Sequence, residues 1–337
     1  MTAKLKPDWA GENLLSQVVN GLIKTKPIYG LMKQQARKVL INTAEKNGIP
    51  WRQTVQDFEA SGIQARLDQM TDPSVTYPNY YNVPFHAYDE GNLCWLAAFE
   101  AESATYSMAM RVWLAENLTW QAAQDRLRSS FHAVLSDHGP EQVKDILDIG
   151  CSVGISTLTL HRYYASKGLS ISTVGLDLSP YMLSVAQVRD AQKEVAQWIH
   201  GKGESTGLPD ESFDLITLQF LIHELPREAS SAVFQEALRL LRPGGCLAIV
   251  DNNPQSPVIQ NLPPVLFTLM KSTEPWSDDY YTFDVEAALT QVGFETPITV
   301  ASDPRHRTIV AKKLAKRQLD LQFVALPAGA PNNGVNK

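Results

Sequence analysis

The sequence is poor in cysteine, in net positive charge and in long apolar runs, and each shortage closes off a class of protein. Three cysteines, Cys94, Cys151 and Cys246, are too few and too scattered for a disulfide framework or a zinc site, so free thiols in a reducing compartment are expected. A formal charge of -6 excludes a general nucleic-acid binder, whose phosphate contacts need a basic surface. No run approaches the roughly 18 apolar residues of a membrane span. The start MTAKLKPDWAGENLLSQVV has neither the apolar core nor the small-residue cleavage site of a signal peptide. A cytoplasmic location is therefore expected. What is present, 44% hydrophobic and 20% charged residues over 337 positions, suits one large globular domain or a domain with a substantial extension.

Charge is unevenly spread. Residues 1–52 carry nine Lys or Arg against Asp8, Glu12 and Glu45, a balance of +6 that leaves -12 for the remainder. Two apolar-periodic segments there, Glu12–Lys24 and Tyr29–Lys46, read as basic amphipathic helices, the second stopped by Gly48 and Pro50. Such a pair either leans on an anionic membrane as a peripheral contact or covers the main domain. Trp51–Met70 and Leu93–Glu116 are also helical in pattern. Between them lies YPNYYNVPFHAYDEGNLCW, Tyr77–Trp95, where Pro78 and Pro84 forbid a regular helix.

From about Val143 short apolar runs alternate with helical patterns, the sign of an α/β chain with a parallel sheet and crossover helices. Five strands are expected at 145–150, 172–177, 196–201, 213–220 and 245–251. Two late runs, 296–302 and 307–313, flank Asp303 and Pro304 and read as a final antiparallel pair.

The most specific stretch is ILDIGCSVGISTLTL, Ile146–Leu160. An apolar strand ends in Asp148, and a turn with Gly150 and Gly154 leads into a helix. Glycine belongs there because a side chain would hold a ligand away from the turn's amides and the helix N-terminus. A dinucleotide fingerprint would be G-x-G-x-x-G with its acid on the following strand. Here the acid precedes the turn, where it is poor company for pyrophosphate and good company for an ammonium group. A cationic amino-acid ligand is expected over NAD.

These residues resemble the first motif, D/E-x-G-x-G-x-G, of the class I S-adenosylmethionine-dependent methyltransferases. Asp148, Gly150 and Gly154 match it, and Ser152 replaces the middle glycine. The resemblance implies a Rossmann-like fold with a seven-stranded, mostly parallel sheet and an antiparallel last strand, and S-adenosylmethionine as cofactor. TVGLDLSPYML puts Asp177 and Leu178 where the family holds the ribose. GKGESTGLPDESFD resembles the third motif but has Lys202 where the family has the acid that reads the adenine amino group, so Glu204 or the backbone at Gly203 takes that role. EALRLLRPGGCLAIVD matches the family's R-x-L-x-P-G-G-x-L turn, a marker of fold. The implied organisation is a helical extension or lid at 1–135, the methyltransferase domain at 136–316, and a partly disordered tail at 317–337. The aromatic stretch together with DIGCSVG is similar to a group of methyltransferases from cyanobacteria and plants.

The acceptor class must come from residues past strand four, LQFLIHELP. The N/D-P-P-Y/F of DNA and protein-glutamine methylation is absent, and no acid stands where catechol-type enzymes hold magnesium, so no metal is expected. Gln219 and Phe220 line the methionine end of the cofactor. His223 is the candidate base, set against the alternative of a packed helix-start histidine. Tyr81, His86 and Tyr88 of the aromatic stretch, with Trp276 and Tyr280 of a later insertion, are expected to wall a lid over a small, planar or lipophilic acceptor methylated on oxygen or carbon. The alternative for the stretch is an aromatic core knot, and the alternative for the whole is a cofactor binder without catalysis.

Overall fold

The computed structural model describes residues 26–86, 88–262 and 273–315. The expected helix at Glu12–Lys24 and the tail at 317–337 lie outside the described residues. The sheet consists of β1 (Asp145–Ile149), β2 (Ser172–Asp177), β3 (Gln197–His200), β4 (Phe213–Gln219), β5 (Leu241–Asn252), β6 (Ile298–Val300) and β7 (His306–Lys312), in the order β3-β2-β1-β4-β5-β7-β6. Strands β1 to β5 are parallel, β7 runs antiparallel to β5, and β6 antiparallel to β7. This is the Rossmann-like architecture expected from the motifs. Strand β5 starts four residues earlier than the apolar run GCLAIVD. Leu241 pairs with Phe213 before the register shifts to Leu215 opposite Cys246, so the Pro243–Gly245 turn is accommodated inside the strand.

Strand side chains alternate between two faces. Ile146, Leu215, Cys246, Ala248 and Val310 bury one face against Phe131 and Leu135 of α5 (Trp120–His138) and Leu160 and Tyr164 of α6 (Ile155–Ser166). Leu147, Ile216, Leu247, Ile249 and Ile309 bury the other against Val233 and Phe234 of α8 (Arg227–Leu240) and Leu289 of α11 (Val285–Val292). Helix α5 starts at Thr119, whose hydroxyl accepts the Ala122 N–H at 3.2 Å. It lies across the expected 135/136 boundary and belongs to the sheet's covering layer. Helix α7 (Pro180–Arg189) is started by Ser179, which accepts the Met182 N–H, with proline in its first turn. Shorter helices are α3 (Leu67–Met70), α9 (Pro257–Gln260) and α10 (Ser277–Thr282).

The N-terminal layer is built from α1 (Lys26–Lys46), α2 (Trp51–Ala60) and α4 (Trp95–Met110). It rests on α7 where Trp95 meets Tyr181 edge to face at 5.1 Å, and within the layer Phe99 of α4 stacks on Phe58 of α2 at 5.3 Å. Its polar centre is Glu100 of α4, 2% exposed. That carboxylate accepts from Trp51 Nε1 at 3.0 Å, from the Tyr88 hydroxyl at 2.5 Å and from Arg37. Three elements and the aromatic stretch thus share one buried acceptor. Glu100→Ala leaves those donors unpaired, and a loss of about 3 kcal/mol is expected, read as a lower denaturant midpoint with earlier proteolytic cleavage in α1 and α2.

Candidate active site

The crevice lies at the carboxyl ends of β1 and β4, where the strand order reverses direction, the usual ligand position in such sheets. The β1–α6 turn holds Gly150 at φ 73° and Gly154 at φ 77°. A Cβ on Gly150 would stand 2.7 Å from Leu221, and one on Gly154 2.6 Å from the Trp198 ring. Both conformation and space therefore demand glycine. Ser152, in place of the middle glycine, also takes a left-handed conformation at φ 47°. Its N–H donates to Asp177 Oδ2 at 2.7 Å, which secures that conformation.

Asp148 is 1% exposed. It accepts from Thr157 at 2.6 Å, Thr217 at 2.5 Å and Gln219 Nε2 at 3.4 Å, so the start of α6 and the adjacent strand fix its carboxylate. Burial raises its pKa, against the pull of those three donors and of Arg128. Gln219 Oε1 is buried without a hydrogen-bond partner among the described residues. A carboxylate beside an orphaned amide oxygen is a donor-poor, acceptor-rich surface, and that suits an ammonium group.

Asp177 accepts the Ser179 N–H at 2.8 Å as well as that of Ser152. Burial pushes its pKa up to about 6, against the backbone donors that favour its charge. Two oxygens with two amides bound still leave lone pairs for a pair of hydroxyls. The Leu178 carbonyl faces His200 Nε2 at 3.1 Å. Gly203 packs closely on Ile149, its Cβ position 2.8 Å away, and Glu204 receives the Tyr80 hydroxyl.

Arg128 of α5 was not singled out in the sequence. It is 4% exposed, sits 5.4 Å over the Phe220 ring and donates Nε to Gln124 at 3.2 Å. Burial pushes its pKa down to about 10, partly offset by the Asp148 charge. The available signal was the pairing of Gln124 with Arg128 one turn apart on the face that also carries Leu127, Phe131 and Leu135.

The aromatic stretch runs as a strap past the ends of β2 and β3. Asp72 donates its N–H to His200 Nδ1 at 2.9 Å, the Tyr77 hydroxyl lies 3.3 Å from His200 Nε2, and Ser179 donates to the Asn92 carbonyl at 2.6 Å. Further on, His86 donates its N–H to the Thr273 carbonyl at 2.8 Å, and Trp276 Nε1 donates to the Tyr80 carbonyl at 3.3 Å. Five candidate wall residues then separate into distinct environments. Tyr81 stands in the fields of Asp177 and Glu224, which add to burial in raising its pKa. His86 faces Glu224 at 3.5 Å and Glu274 at 4.0 Å. Trp276 borders Tyr80. Tyr88 turns away to Glu100 in the helical layer, and Tyr280, 1% exposed, donates its hydroxyl to the Asn252 carbonyl beneath the insertion.

His223 sits in the turn 222–224 after β4, 8% exposed, with Nδ1 2.7 Å from Asp251 Oδ1. Burial works against its charge, but Asp251, aided by Glu274 and Glu224, outweighs burial and raises the pKa to about 10. Asp251 thus orients the ring of the candidate base and favours its protonated form. In that form Nε2 is a donor.

Asp177 generates a pH dependence. Hydroxyls donating to it favour the ionised form, so a ligand held there lowers the carboxyl's pKa below about 6. Affinity for S-adenosylhomocysteine is expected to be full above pH 6 and to fall, by up to tenfold per unit, as the pH drops further. Asp177→Asn should flatten that profile in calorimetric titrations.

Residues 147–249 match the family described as methyltransferase domain. Similar curated proteins include the demethylmenaquinone methyltransferase of Lactiplantibacillus plantarum, 33% identical over 120 residues that make up 34% of this chain and 48% of the relative. That of Staphylococcus aureus is 28% identical over 130 residues, 38% of this chain and 52% of the relative. The chain thus spans about half the length of these relatives. Solved structures with a likeness include a SAM-dependent methyltransferase from Aquifex aeolicus, TM-score 0.43 and 19% identity over 56% of this chain and 92% of that one. Another is phosphoethanolamine N-methyltransferase 2 of Haemonchus contortus, TM-score 0.46 and 16% identity over 71% and 60%. Residues 147–249 thus match a methyltransferase domain, and they hold the motif residues and most of the parallel strands already described.

Proposed function

We propose that this protein transfers a methyl group from S-adenosylmethionine to a small, planar and lipophilic organic acceptor, on oxygen or carbon. The observation that carries the reading is the placement of Asp148 with the orphaned Gln219 oxygen at one strand end and Asp177 at the next. Asp148 and Gln219 would receive the cofactor's ammonium group, and Asp177 its ribose hydroxyls. Leu178, Gly203 and Glu204 would border the base, and Phe220 the methionine end. The cofactor, when bound, supplies a methyl already activated on a sulfonium. The protein's own share is then alignment, exclusion of water and removal of a proton where the acceptor needs it.

The acceptor side is bordered by Tyr81, His86 and Trp276, flat or apolar groups suited to a planar molecule. The similar proteins named for demethylmenaquinone favour a quinone-type acceptor. No helix among the described residues is long and apolar enough to cross a membrane. The reading places the protein in the cytoplasm, with its basic N-terminal segment in peripheral contact with an anionic membrane from which a lipophilic acceptor is drawn.

Calorimetry with S-adenosylhomocysteine and with NAD tests the cofactor assignment. Binding of the first and not the second is expected, with Asp148→Asn weakening it by at least about tenfold; equal affinity in the variant would overturn the assignment. Deleting residues 1–25 should reduce sedimentation with phosphatidylserine liposomes. The deletion must stop there, because Ile41 and Ala44 of α1 belong to the core.

A further inference from the structure

Beyond the cofactor crevice, four separate segments converge at the ends of β4 and β5 on one carboxylate. Glu224 Oε1 lies 3.5 Å from His86 Nε2, on the strap, and 3.9 Å from His223 Nε2, in its own turn. Neither distance is a hydrogen bond, and no hydrogen bond to this carboxylate is formed among the described residues. His223 is locked from behind: Asp251 at the end of β5 takes its Nδ1 proton at 2.7 Å and its backbone N–H at 3.2 Å. Its Nε2 is thereby left facing Glu224 from a side chain 11% exposed. Glu274 of the insertion lies 4.0 Å from the same His86 nitrogen and is itself held by the Ser277 hydroxyl at 3.1 Å. The cluster begins three residues past Phe220 and two past Leu221, which packs on Gly150 of the cofactor turn.

An acceptor carboxylate and a fixed donor 3.9 Å apart form a complementary pair for a single ligand atom that first gives up a proton and then carries negative charge. A hydroxyl on an aromatic ring is that atom. An amine would place a cation against the imidazolium, and a carbon acid without a hydroxyl would leave Nε2 unused. We propose that Glu224 is the proton acceptor for an aromatic hydroxyl of the acceptor, and that His223, positioned by Asp251, stabilises the resulting oxyanion. The O–H bond breaks, the proton passes to the Glu224 carboxylate, and the electron pair remains on oxygen opposite His223 Nε2–H. The ionised oxygen, or the ring carbon it activates, is then the nucleophile. This deepens the proposed function and rests on it.

The charges facing Glu224 agree with the assignment. They are His223 in its own turn, Glu274 on the insertion, Asp177 on β2 and Asp251 on β5, with His86 and Tyr81 of the strap facing it as groups that burial holds neutral. Burial raises its pKa to about 8, with the His223 charge opposing and the three carboxylates adding to the rise. Between pH 8 and 10 Glu224 is therefore ionised while His223 remains cationic, the pairing of states that the proton transfer needs.

The test uses the full-length protein saturated with S-adenosylhomocysteine and 2-naphthol as the probe hydroxyarene, at pH 9. Binding should produce the naphtholate absorption band together with the infrared carbonyl stretch of a newly protonated carboxylic acid. That stretch should disappear in Glu224→Gln and persist in Glu274→Gln, with affinity for S-adenosylhomocysteine unchanged within about threefold in both. Glu224→Gln should also lower kcat for methyl transfer about 100-fold or more, with Glu224→Asp recovering part of it. A stretch that survives in Glu224→Gln, or never appears in the unaltered protein, overturns the assignment of the proton acceptor. Binding of S-adenosylhomocysteine without binding of 2-naphthol overturns the hydroxyarene class and leaves the cofactor reading standing. Failure to bind S-adenosylhomocysteine would instead strike the proposed function itself.

Discussion

The contact on which the site depends is the hydrogen bond from the Ser152 amide to Asp177. It joins the turn after β1 to the end of β2 and holds a serine in a backbone conformation that glycine adopts freely. It adds a side-chain tie to the Gly150 and Cys151 amides, which donate to the Leu176 carbonyl at 2.8 and 3.1 Å, and it fixes the Asp177 carboxylate against the turn. A buried carboxylate repels its own charge through lost hydration. Backbone amides aimed at it compensate for that loss while leaving further lone pairs for hydroxyl donors. The same group is thus a structural tie and a binding surface.

The acceptor side is organised on a different principle. Where the cofactor crevice is framed by main-chain turns and one strand end after another, the cluster around Glu224 is assembled from side chains that arrive on the strap, the β4 turn, β5 and the insertion. Each of those elements is anchored elsewhere: the strap through Tyr88 to Glu100, the insertion through Tyr280 to the Asn252 carbonyl. Precision at the cluster is therefore borrowed from packing some distance away, in the helical layer and under β5.

The sheet was legible because parallel strands buried on both faces read as short apolar runs, and ILDI, TVGLD and ITLQF are such runs. Asp148, Gly150, Gly154 and Asp177 were legible because a turn that brings backbone to a ligand restricts which residues fit. Arg128 was not, since an arginine on an amphipathic helix ordinarily marks a solvated face, and only the packing of α5 on the sheet buries this one. Trp198 was equally silent, because it meets Gly175 only once β2 and β3 pair, and Gly154 only through the turn after β1. The direction of each aromatic in the strap depends on partners tens of residues away, so Tyr81 and Tyr88, seven residues apart, end in different environments. The charge state of His223 turned on Asp251, which lies on another strand.

His200 joins the strap to the sheet in a way that depends on its ionisation. Its Nδ1 accepts the Asp72 N–H and its Nε2 faces the Leu178 carbonyl, an arrangement open only to the neutral ring. Burial lowers its pKa, against the two backbone contacts. The latch is closed at and above neutrality and weakens as acid converts the accepting nitrogen into a donor facing another donor. Because burial holds that pKa below the ordinary imidazole value, acid stronger than an exposed histidine would need is required to loosen the strap's leading end.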